Sequence, residues 1–352
     1  MKLWAVVEND KPLQLLERPD PVPTGRQVVI RVTHCGVCHS DLHFVHGQFD
    51  LGGGKTLRIT DRGVKLPCAP GHEIVGRVVA LGPDASGVAI GDERIVYPWV
   101  GCGACELCQS DNEHLCYTPR GLGIIQDGGF GSHIVLPDET YLFAFDGIDP
   151  AIAATFPCSG LTVYSAIMKA MPLDPARPVL VVGAGGLGLV AVRMLQALGF
   201  ARIIVADLAP DKRAAALKAG ASAAIDNGAD DALAQIADAA GGLLQAAFDF
   251  VNIGATAALA LDTLGKQGKL VLVGVGGGEL PLSLAGMIFR IRTIIGTVTG
   301  RRQELRELIA LAQTGKFVPM PVTRMPKDRA NEALSLLAAG KVIGRIVLED
   351  PA

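Results

Sequence analysis

The chain has 352 residues, of which 49% are apolar and 19% are charged, and its formal net charge is −3. This length and composition predict two globular domains, each large enough to bury its own core. A slightly acidic chain with scattered Lys and Arg residues does not favour general binding to nucleic acid or to an anionic membrane surface.

The first part of the chain, to about residue 155, predicts short strands that are separated by Gly, Pro and Asp turns. β-rich runs occur at residues 28–37, 73–82 and 92–100. The N-terminal run MKLWAVVENDKPL lacks the apolar core and the small-residue cleavage site of a secretory signal. We therefore expect a largely β domain in a cytoplasmic protein whose cysteines are reduced.

The densest chemical signal is a group of four cysteines in the run GCGACELCQSDNEHLC: Cys102, Cys105, Cys108 and Cys116. Two residues between cysteines let one tight turn direct both sulfurs at a common point. Four converging thiolates suit Zn²⁺ or an iron–sulfur centre. The group predicts a metal site, but it does not indicate whether that metal takes part in chemistry.

Alternating strand and helix patterns begin near residue 178. Buried strands of the parallel-sheet type alternate with helical spacing, and they occur at residues 179–185, 201–207, 246–252 and 269–275. The longest apolar run, Val179 to Leu195, contains four glycines and is predicted to be strand, turn and helix rather than a membrane span. The predicted fold class is α/β, with a β-rich domain beside a doubly wound parallel sheet. The tail adds helices and a final strand, at residues 303–313, 327–339 and 344–349.

The first strand of this series runs into a G-x-G-x-x-G turn, formed by Gly183, Ala184, Gly185, Gly186, Leu187 and Gly188. Glycine-rich turns are common, so the motif alone would also fit a structural turn. Here a strand precedes it, a helix follows it, and Asp207 ends the next strand, which favours dinucleotide binding. Asp207 can accept hydrogen bonds from ribose hydroxyls and would repel a 2′-phosphate, so NAD is preferred over NADP. Lys212 is either a ribose contact or a solvated lysine at a helix start.

The remaining cysteines are dispersed along the chain: Cys35, Cys38, Cys68 and Cys158. A catalytic zinc ion needs three protein ligands and one open position, and two cysteines with one histidine form such a set. The spacing alone does not establish that any of these residues converge. Taken singly, each of these cysteines also fits a small buried apolar residue.

Five motifs occur in a fixed order: GVCHSD, GHEIVGRVVALG, the four-cysteine run, CSGLTVY and VGAGGLG. With them the chain resembles the zinc-dependent medium-chain alcohol dehydrogenases nearly end to end, and most of all the shorter, tetrameric microbial type. The resemblance implies a GroES-like catalytic domain of residues 1–159 and 298–352 and an NAD-binding Rossmann domain of residues 160–297. It also implies a homotetramer with two zinc ions in each subunit.

The resemblance further implies which residues serve the reaction. Cys38, His72 and Cys158 match the ligands of the catalytic zinc, and Glu73 matches a carboxylate that can enter the coordination transiently. Asp41 matches the acid that orients the ligand histidine. Ser40 matches the hydroxyl at the substrate oxygen, and His43 matches the distal base of the proton relay. Ser40 and His43 also fit a turn hydroxyl and a surface imidazole.

Other positions match the cofactor site of that family. His39 matches a residue at the pyrophosphate, Thr162 one that packs on the nicotinamide, and Arg345 one that reaches a phosphate. His39 and Arg345 also fit solvent-facing cations. The segment Val273-Gly274-Val275 matches the backbone segment of that family that holds the carboxamide of the nicotinamide. The four-cysteine run matches a structural zinc lobe.

The implied activity is NAD-dependent oxidation of primary or secondary alcohols, and the reverse reduction. Phe49 and Trp99 are candidates for the wall of the substrate pocket. Residues 49–64 are expected to form a loop near the cleft mouth, and they fit a neutral surface insertion equally well. One alternative is another zinc enzyme of this kind, acting on polyols or formaldehyde. A second alternative is a binding module without activity, which the acidic composition and the complete nucleotide-binding unit disfavour. Cys35 and Cys68 have no role in the pattern.

Overall fold

The computed structural model describes residues 1–350. The strands of the β-rich part are β1 (Lys2–Ala5), β2 (Gln14–Glu17), β3 (Val28–Gly36), β4 (Gln48–Asp50), β5 (Thr56–Arg58), β6 (Glu73–Leu81), β7 (Glu93–Val96), β8 (His133–Leu136) and β9 (Leu142–Phe143). Its helices are α1 (His39–His46), α2 (Glu106–Gln109) and α3 (Pro150–Ala154), with 3₁₀ turns at Ile59–Arg62, Glu113–Leu115 and Glu139–Tyr141. A π-helical turn, Phe156–Gly160, follows α3.

The rest of the described chain alternates strands and helices, as the sequence predicts. Its strands are β10 (Val179–Val182), β11 (Ile203–Ala206), β12 (Ala223–Ile225), β13 (Leu244–Asp249), β14 (Leu264–Leu272), β15 (Thr293–Gly296), β16 (Val322–Pro326) and β17 (Arg345–Glu349). Its helices are α4 (Leu161–Ala170), α5 (Gly186–Ala197), α6 (Pro210–Ala219), α7 (Ala232–Ala240), α8 (Gly254–Asp262), α9 (Leu284–Arg290), α10 (Arg302–Gln313) and α11 (Ala330–Ala338), the last preceded by a 3₁₀ turn at Lys327–Arg329.

The α/β fold class is confirmed. A parallel sheet has the strand order β12-β11-β10-β13-β14-β15, and a mixed sheet has the order β16-β17-β3-β6-β7-β9, with β8 also paired to β3. In the parallel sheet the chain order reverses between β10 and β13. Ligands of doubly wound sheets bind at this switch point, outside the carboxyl ends of the strands.

The pairing of β3 with β6 determines where the chemistry lies. The two strands are antiparallel, and Gly36 at the end of β3 faces Glu73 at the start of β6. The residues that follow β3 and precede β6 are therefore neighbours, although they are far apart in sequence. Gly36 has to be glycine, because a Cβ there would lie 2.0 Å from Oε2 of Glu73.

Residues 49–64 differ from the expected loop, because they contain a β-hairpin of β4 and β5 followed by a 3₁₀ turn. The tip is Gly52, Gly53 and Gly54, all with positive φ, a conformation that glycine adopts without steric cost. The amide of Gly52 donates to the Asp50 carboxylate at 2.8 Å, which fixes the turn. The three glycines were the signal that could have predicted the hairpin.

One hydrophobic core runs from the mixed sheet through α4 and α5 to one face of the parallel sheet, and a second core covers the opposite face. The first core contains the largest fully buried side chains, among them Tyr97, Phe130, Phe156 and Phe248. Its continuity fixes the two sheets relative to one another. Among residues 1–350, none of the helices is both long and apolar enough to cross a membrane.

Close packing of β6 on β3 makes a first prediction. A Cβ on Gly76 would lie 2.4 Å from the Arg31 carbonyl oxygen and 2.4 Å from Cγ2 of Ile30. We expect Gly76→Ala to lower the free energy of unfolding by about 1–3 kcal/mol, the usual cost of overpacking. The midpoint of urea denaturation measures this loss. Gly121→Ala is the control, because its nearest contact would be an ordinary 3.4 Å; equal midpoints for the two variants would contradict the packing argument.

Candidate functional site

Three potential metal ligands converge where the two sheets meet. Cys38 is the N-cap of α1, His72 directly precedes β6, and Cys158 lies in the π-helical turn before α4. All three side chains are buried, and their ligand atoms lie within 4.8 Å of one another. The two sulfurs are 4.0 Å apart. That is too far for a disulfide, but it is close to the roughly 3.8 Å between two thiolates on one tetrahedral zinc ion.

The environment of His72 supports the fit of a metal ion. The ring is fully buried, yet its Nε2 atom has no hydrogen-bond partner. An unpaired buried polar atom is costly unless it meets a ligand. Nδ1 faces Oδ1 of Asp41 at 3.4 Å, so the carboxylate lies on the side of the ring that orients the imidazole.

Asp41 also holds the backbone of both ligand segments. Its Oδ2 atom accepts the amide of Cys38 at 2.8 Å, and its Oδ1 atom accepts the amide of Gly71 at 3.0 Å. The first bond is the reciprocal half of a capping box, because Asp41 is the third residue of α1. One buried carboxylate therefore fixes the loop after β3 to the residue that leads into His72.

Behind these ligands lies a buried ion pair between Glu73 and Arg345. Oε1 of Glu73 accepts from the Arg345 guanidinium and from the amide of Ser159 at 3.2 Å. Burial raises the pKa of Glu73, and the charge of Arg345 opposes that shift. The Nε atom of Arg345 has no hydrogen-bond partner. The guanidinium also lies against Gly186, because a Cβ built on that glycine would be 3.2 Å from Nη1 of Arg345. The arginine thus connects the metal ligands with the glycine-rich turn.

The two thiols of the site titrate as a pair. The hydrogen bond from Cys158 lowers the pKa of Cys38, and the same bond together with burial raises the pKa of Cys158. One sulfur is therefore anionic more readily than the other. A divalent cation would favour the thiolate form of both, because coordination requires deprotonated ligands.

The predicted relay residues follow Cys38 on α1, and the predicted pocket residues contact His43 and His72. Ser40 and His43 are three residues apart on α1 and so lie on one face of it. Burial lowers the pKa of His43, and the ring of Phe49 stacks on it at a centroid distance of 4.9 Å. The ring centroids of Trp99 and His72 are 5.5 Å apart, and the Trp99 indole N–H donates to the Pro157 carbonyl at 2.7 Å. Trp99 therefore packs directly on one ligand and bonds to the residue before another.

The four-cysteine group forms a second ligand set, made of Cys102, Cys105, Cys108 and Cys116. Neighbouring sulfurs are 3.6 to 3.9 Å apart, which again suits a tetrahedral ion. The amides of Ala104 and Cys105 lower the pKa of the Cys102 thiol to about 6. All four positions are filled by protein sulfur, so this set leaves no room for a substrate. Cys35 and Cys68 are buried and belong to neither set.

The glycine-rich turn lies at the switch point of the parallel sheet, where Gly185 is the N-cap of α5. A Cβ on Gly188 would lie 1.7 Å from the Gly183 carbonyl oxygen, so the third glycine lets the helix pack against the strand. A Cβ on Gly185 would meet nothing within 4 Å. The space in front of the turn is open, and the helix N-terminus directs N–H donors into it, an arrangement that suits a pyrophosphate. Leu187 lies in the first turn of the helix.

Asp207 follows β11 and is nearly buried. Its carboxylate accepts from the amides of Ala184 at 2.7 Å and Ala209 at 2.9 Å, so it is fixed against the glycine-rich turn. Arg213, which the sequence did not single out, pairs with Asp226 at 3.1 Å and bonds to the Asp207 carbonyl. The Arg213 guanidinium is therefore engaged by Asp226 and by the backbone that follows β11. The half-buried Lys212 lies on α6 beside it.

Positive charges act on His39 at the start of α1. Loss of hydration lowers the pKa of His39, and the charges of Arg345 and Lys212 lower it further, while Cys38 opposes them. The charges of Arg345 and Lys212 therefore both reach the region of the His39 ring. An anion bound there would be attracted by these two cations.

The segment Val273–Val275 leaves the end of β14 with Val273 buried and Val275 about half exposed. Asn252, a residue that sequence reasoning missed, donates its amide to the Gly274 carbonyl at 2.8 Å. It has a φ of +58°, a conformation that asparagine tolerates better than most residues. Its backbone is held by the buried Asp249. Thr162 lies one turn beyond Cys158, near the start of α4.

Known proteins share this architecture. Residues 24–145 match the alcohol dehydrogenase GroES-like domain, and residues 186–314 match the zinc-binding dehydrogenase domain. The chain is 37% identical to an NAD-dependent alcohol dehydrogenase of Sulfurisphaera tokodaii and 38% identical to one of Saccharolobus solfataricus, with 99% of each chain covered. The solved structure of the Aeropyrum pernix alcohol dehydrogenase has a TM-score of 0.89 at 31% identity, covering 99% of this chain and 100% of that one.

A GroES-like domain joined to a nucleotide-binding sheet, with two sets of metal ligands, defines a zinc-binding dehydrogenase. On the similarity over its full described length, the chain belongs to the zinc-dependent medium-chain alcohol dehydrogenase family.

The buried ion pair makes a second prediction. Arg345→Leu leaves Glu73 charged and unpaired in a site from which water is excluded, which costs about 3–5 kcal/mol. We expect the variant to lower the free energy of unfolding by that order, measured by chemical denaturation. Adding Glu73→Gln removes the uncompensated charge, so the double variant should regain part of the lost free energy of unfolding. A double variant no more stable than Arg345→Leu alone would contradict the pairing.

Proposed function

We propose that the protein oxidises primary and secondary alcohols to aldehydes and ketones with NAD, and catalyses the reverse reduction. The observation that carries this proposal is the buried set of Cys38, His72 and Cys158, which offers three ligands and is connected with the nucleotide-binding turn through Glu73 and Arg345. A ligand set with one position left open is the arrangement of catalytic zinc sites. The names of the curated relatives agree with this activity.

The metal ligands and their supports have separate roles. Bound zinc would act as a Lewis acid that polarises the substrate oxygen and makes its hydroxyl more acidic. Cys38, His72 and Cys158 hold the ion, and Asp41 keeps the imidazole in the orientation that ligation needs. Glu73, whose Oε2 atom has no partner, would serve as the transient alternative ligand.

The proton of the alcohol leaves along α1. Ser40 would accept it at the substrate oxygen while giving up its own hydroxyl proton, and His43 would take up the relayed proton and release it to solvent. Burial holds the pKa of His43 below its usual value, so the imidazole is neutral and able to accept a proton at neutral pH. The stacked ring of Phe49 restricts the orientation of His43.

NAD supplies the carbon that accepts hydride from the substrate. Its binding is supported by the open space at Gly185, by the helix N-terminus at Gly186 to Gly188 and by Asp207 for the ribose. The rest of the cofactor is held by two further groups of residues. His39, Lys212 and Arg345 bind its phosphates and ribose. Thr162, Val273 and Val275 orient its nicotinamide. Trp99 and Phe49 bound the space that remains for the alcohol.

We further propose that the four-cysteine lobe holds a second, structural zinc ion, giving two ions per subunit. The lobe offers no open coordination position, and a salt bridge from the buried Glu113 to Arg302 connects it with α10. Loss of this ion would therefore affect folding before chemistry. Polyol dehydrogenases usually carry a carboxylate as the third catalytic ligand, so Cys158 disfavours that alternative, and nothing favours a formaldehyde enzyme.

Assembly and location complete the proposal. The catalytic domain comprises residues 1–159 and 298–352, and the cofactor domain comprises residues 160–297. The edge strand β15 and the exposed apolar side chains of α9, Leu284, Ile288 and Phe289, support pairing of two cofactor domains and a homotetramer built from such pairs. The chain's unpaired cysteines support a reducing, cytoplasmic location.

The catalytic ligands make a third prediction. Cys158→Ser replaces a thiolate by a weaker ligand. We expect kcat/KM for alcohol oxidation to fall by more than about 100-fold, because replacing a residue that only supports a metal ligand already lowers activity by up to that factor. NAD reduction at 340 nm measures the rate, and metal analysis measures the zinc content. Cys68→Ser is the matched buried control and should retain activity. Full activity of Cys158→Ser at unchanged zinc content would refute the ligand role.

Asp207 makes a fourth prediction. Asp207→Asn keeps the side chain's shape but removes the charge that repels a 2′-phosphate. We expect the ratio of kcat/KM for NAD over NADP to fall by about tenfold, which corresponds to ~1.4 kcal/mol. The control is Asp211→Asn, which changes an exposed acid in the first turn of the following helix α6. An unchanged ratio in Asp207→Asn would argue against the role of this charge.

A further inference from the structure

Asn252 lies in the loop that leaves the carboxyl end of β13, beside the switch point of the parallel sheet. Its φ of +58° is a left-handed conformation that is strained for most residues with a side chain. Glycine would adopt this φ without steric cost, so the backbone alone favours glycine at this position. The contact that the amide side chain makes is therefore the feature that distinguishes asparagine here.

The side chain of Asn252 bonds to the predicted nicotinamide segment, Val273–Val275. Its Nδ2 atom donates to the carbonyl oxygen of Gly274 at 2.8 Å. The two loops also pack backbone against backbone, because a Cβ on Gly274 would lie 2.4 Å from the Val251 carbonyl oxygen. The amide of Gly276 donates to that same oxygen at 3.2 Å. The loop after β13 therefore supports the loop after β14 directly.

A buried carboxylate fixes the loop from which Asn252 extends. Asp249, the last residue of β13, is fully buried, and its Oδ1 atom accepts the amides of Val251 at 3.0 Å and Asn252 at 2.8 Å. Its Oδ2 atom accepts the hydroxyl of Thr256 at 2.8 Å, and this hydroxyl accepts the amide of Ile253 at 3.1 Å. Every amide from Val251 to Ile253 is thus bonded, so the Asn252 side chain extends from a rigid base.

The bond from Asn252 restrains one particular peptide group. The carbonyl of Gly274 and the N–H of Val275 belong to the same planar trans peptide, in which they point in opposite directions. Glycine has wide conformational freedom, so the peptide after Gly274 would rotate readily if nothing held it. The hydrogen bond to the carbonyl holds this plane, and it thereby directs the N–H of Val275 away from Asn252.

We propose that Asn252 is a positioning residue, which fixes the Gly274–Val275 peptide and through it the orientation of the nicotinamide ring. This inference rests on the proposed function, which assigns Val273 and Val275 to the nicotinamide. The role of Asn252 is confined to that half of the cofactor, because its side chain bonds to this segment. The adenosine half depends instead on Asp207 and the glycine-rich turn.

The test compares two ligands by isothermal titration calorimetry on the zinc-loaded protein: NADH, and ADP-ribose, which has no nicotinamide. Asn252→Gly keeps the left-handed backbone but removes the amide. We expect it to weaken the binding of NADH by about fivefold, the effect of one net hydrogen bond, and to leave the binding of ADP-ribose unchanged. Asn252→Asp keeps the shape of the side chain but cannot donate to Gly274, so it should weaken NADH at least as much.

Gln267→Gly is the matched control. Gln267 is exposed, lies on β14 and has a φ of +60°, so the variant makes the same kind of change at a second left-handed position. It should keep the wild-type affinity for both ligands.

Unchanged binding of NADH by Asn252→Gly would overturn the proposal. Equal losses for NADH and ADP-ribose would overturn it too, since Asn252 would then support the whole cofactor site and not the nicotinamide segment. The expected binding pattern without NAD reduction on any alcohol would support the role of Asn252 and refute the proposed activity.

Discussion

Burial of metal ligands and their counter-charges where the two sheets meet is the constraint on which the rest of the structure depends. Cys38, His72 and Cys158 come from three separate segments and are all buried, and the ring nitrogens of His72 lack the partners that a buried polar group normally needs. The antiparallel register of β3 and β6 brings the first two together, and the π-helical turn before α4 brings the third. Such turns are rare and are frequent at functional sites.

The same burial explains why charged side chains, and not only apolar ones, pack behind the metal ligands. Glu73 and Arg345 neutralise one another in a buried place, and Arg345 also borders the turn that would bind the pyrophosphate. One arginine therefore lies between the metal ligands and the nucleotide turn. A bound anion would compete with Glu73 for it, so the charge next to the metal would depend on whether cofactor is present.

Much of this arrangement could be predicted from the sequence. The strand–turn–helix around Gly183–Gly188 carries its own signals, since periodicity, glycine spacing and the later Asp207 agree. The four-cysteine group could be predicted as a ligand set because its members are close in sequence. The set of Cys38, His72 and Cys158 came from resemblance, because no local pattern determines which loops of a β-rich domain will meet.

What the sequence did not provide depends on contacts between distant segments. The hairpin within residues 49–64 was missed as an element, although its three glycines marked the turn, and its contact with Gly277 and Gly278 has no local signal at all. Asn252 was missed because its role depends on the carbonyl of Gly274, which lies just beyond the end of the adjacent strand β14. Likewise, Trp99 was expected as a pocket wall, while its bond to the Pro157 carbonyl appears only once the fold is known.

The central claim is that the dispersed ligand set, and not only the cysteine lobe, binds zinc. Anomalous diffraction from crystals of the protein, recorded on both sides of the zinc absorption edge, tests it most directly. The account predicts two peaks per chain, one among the four lobe sulfurs and one within bonding distance of Cys38, His72 and Cys158. A single peak in the lobe, from zinc-replete and active protein, would contradict it.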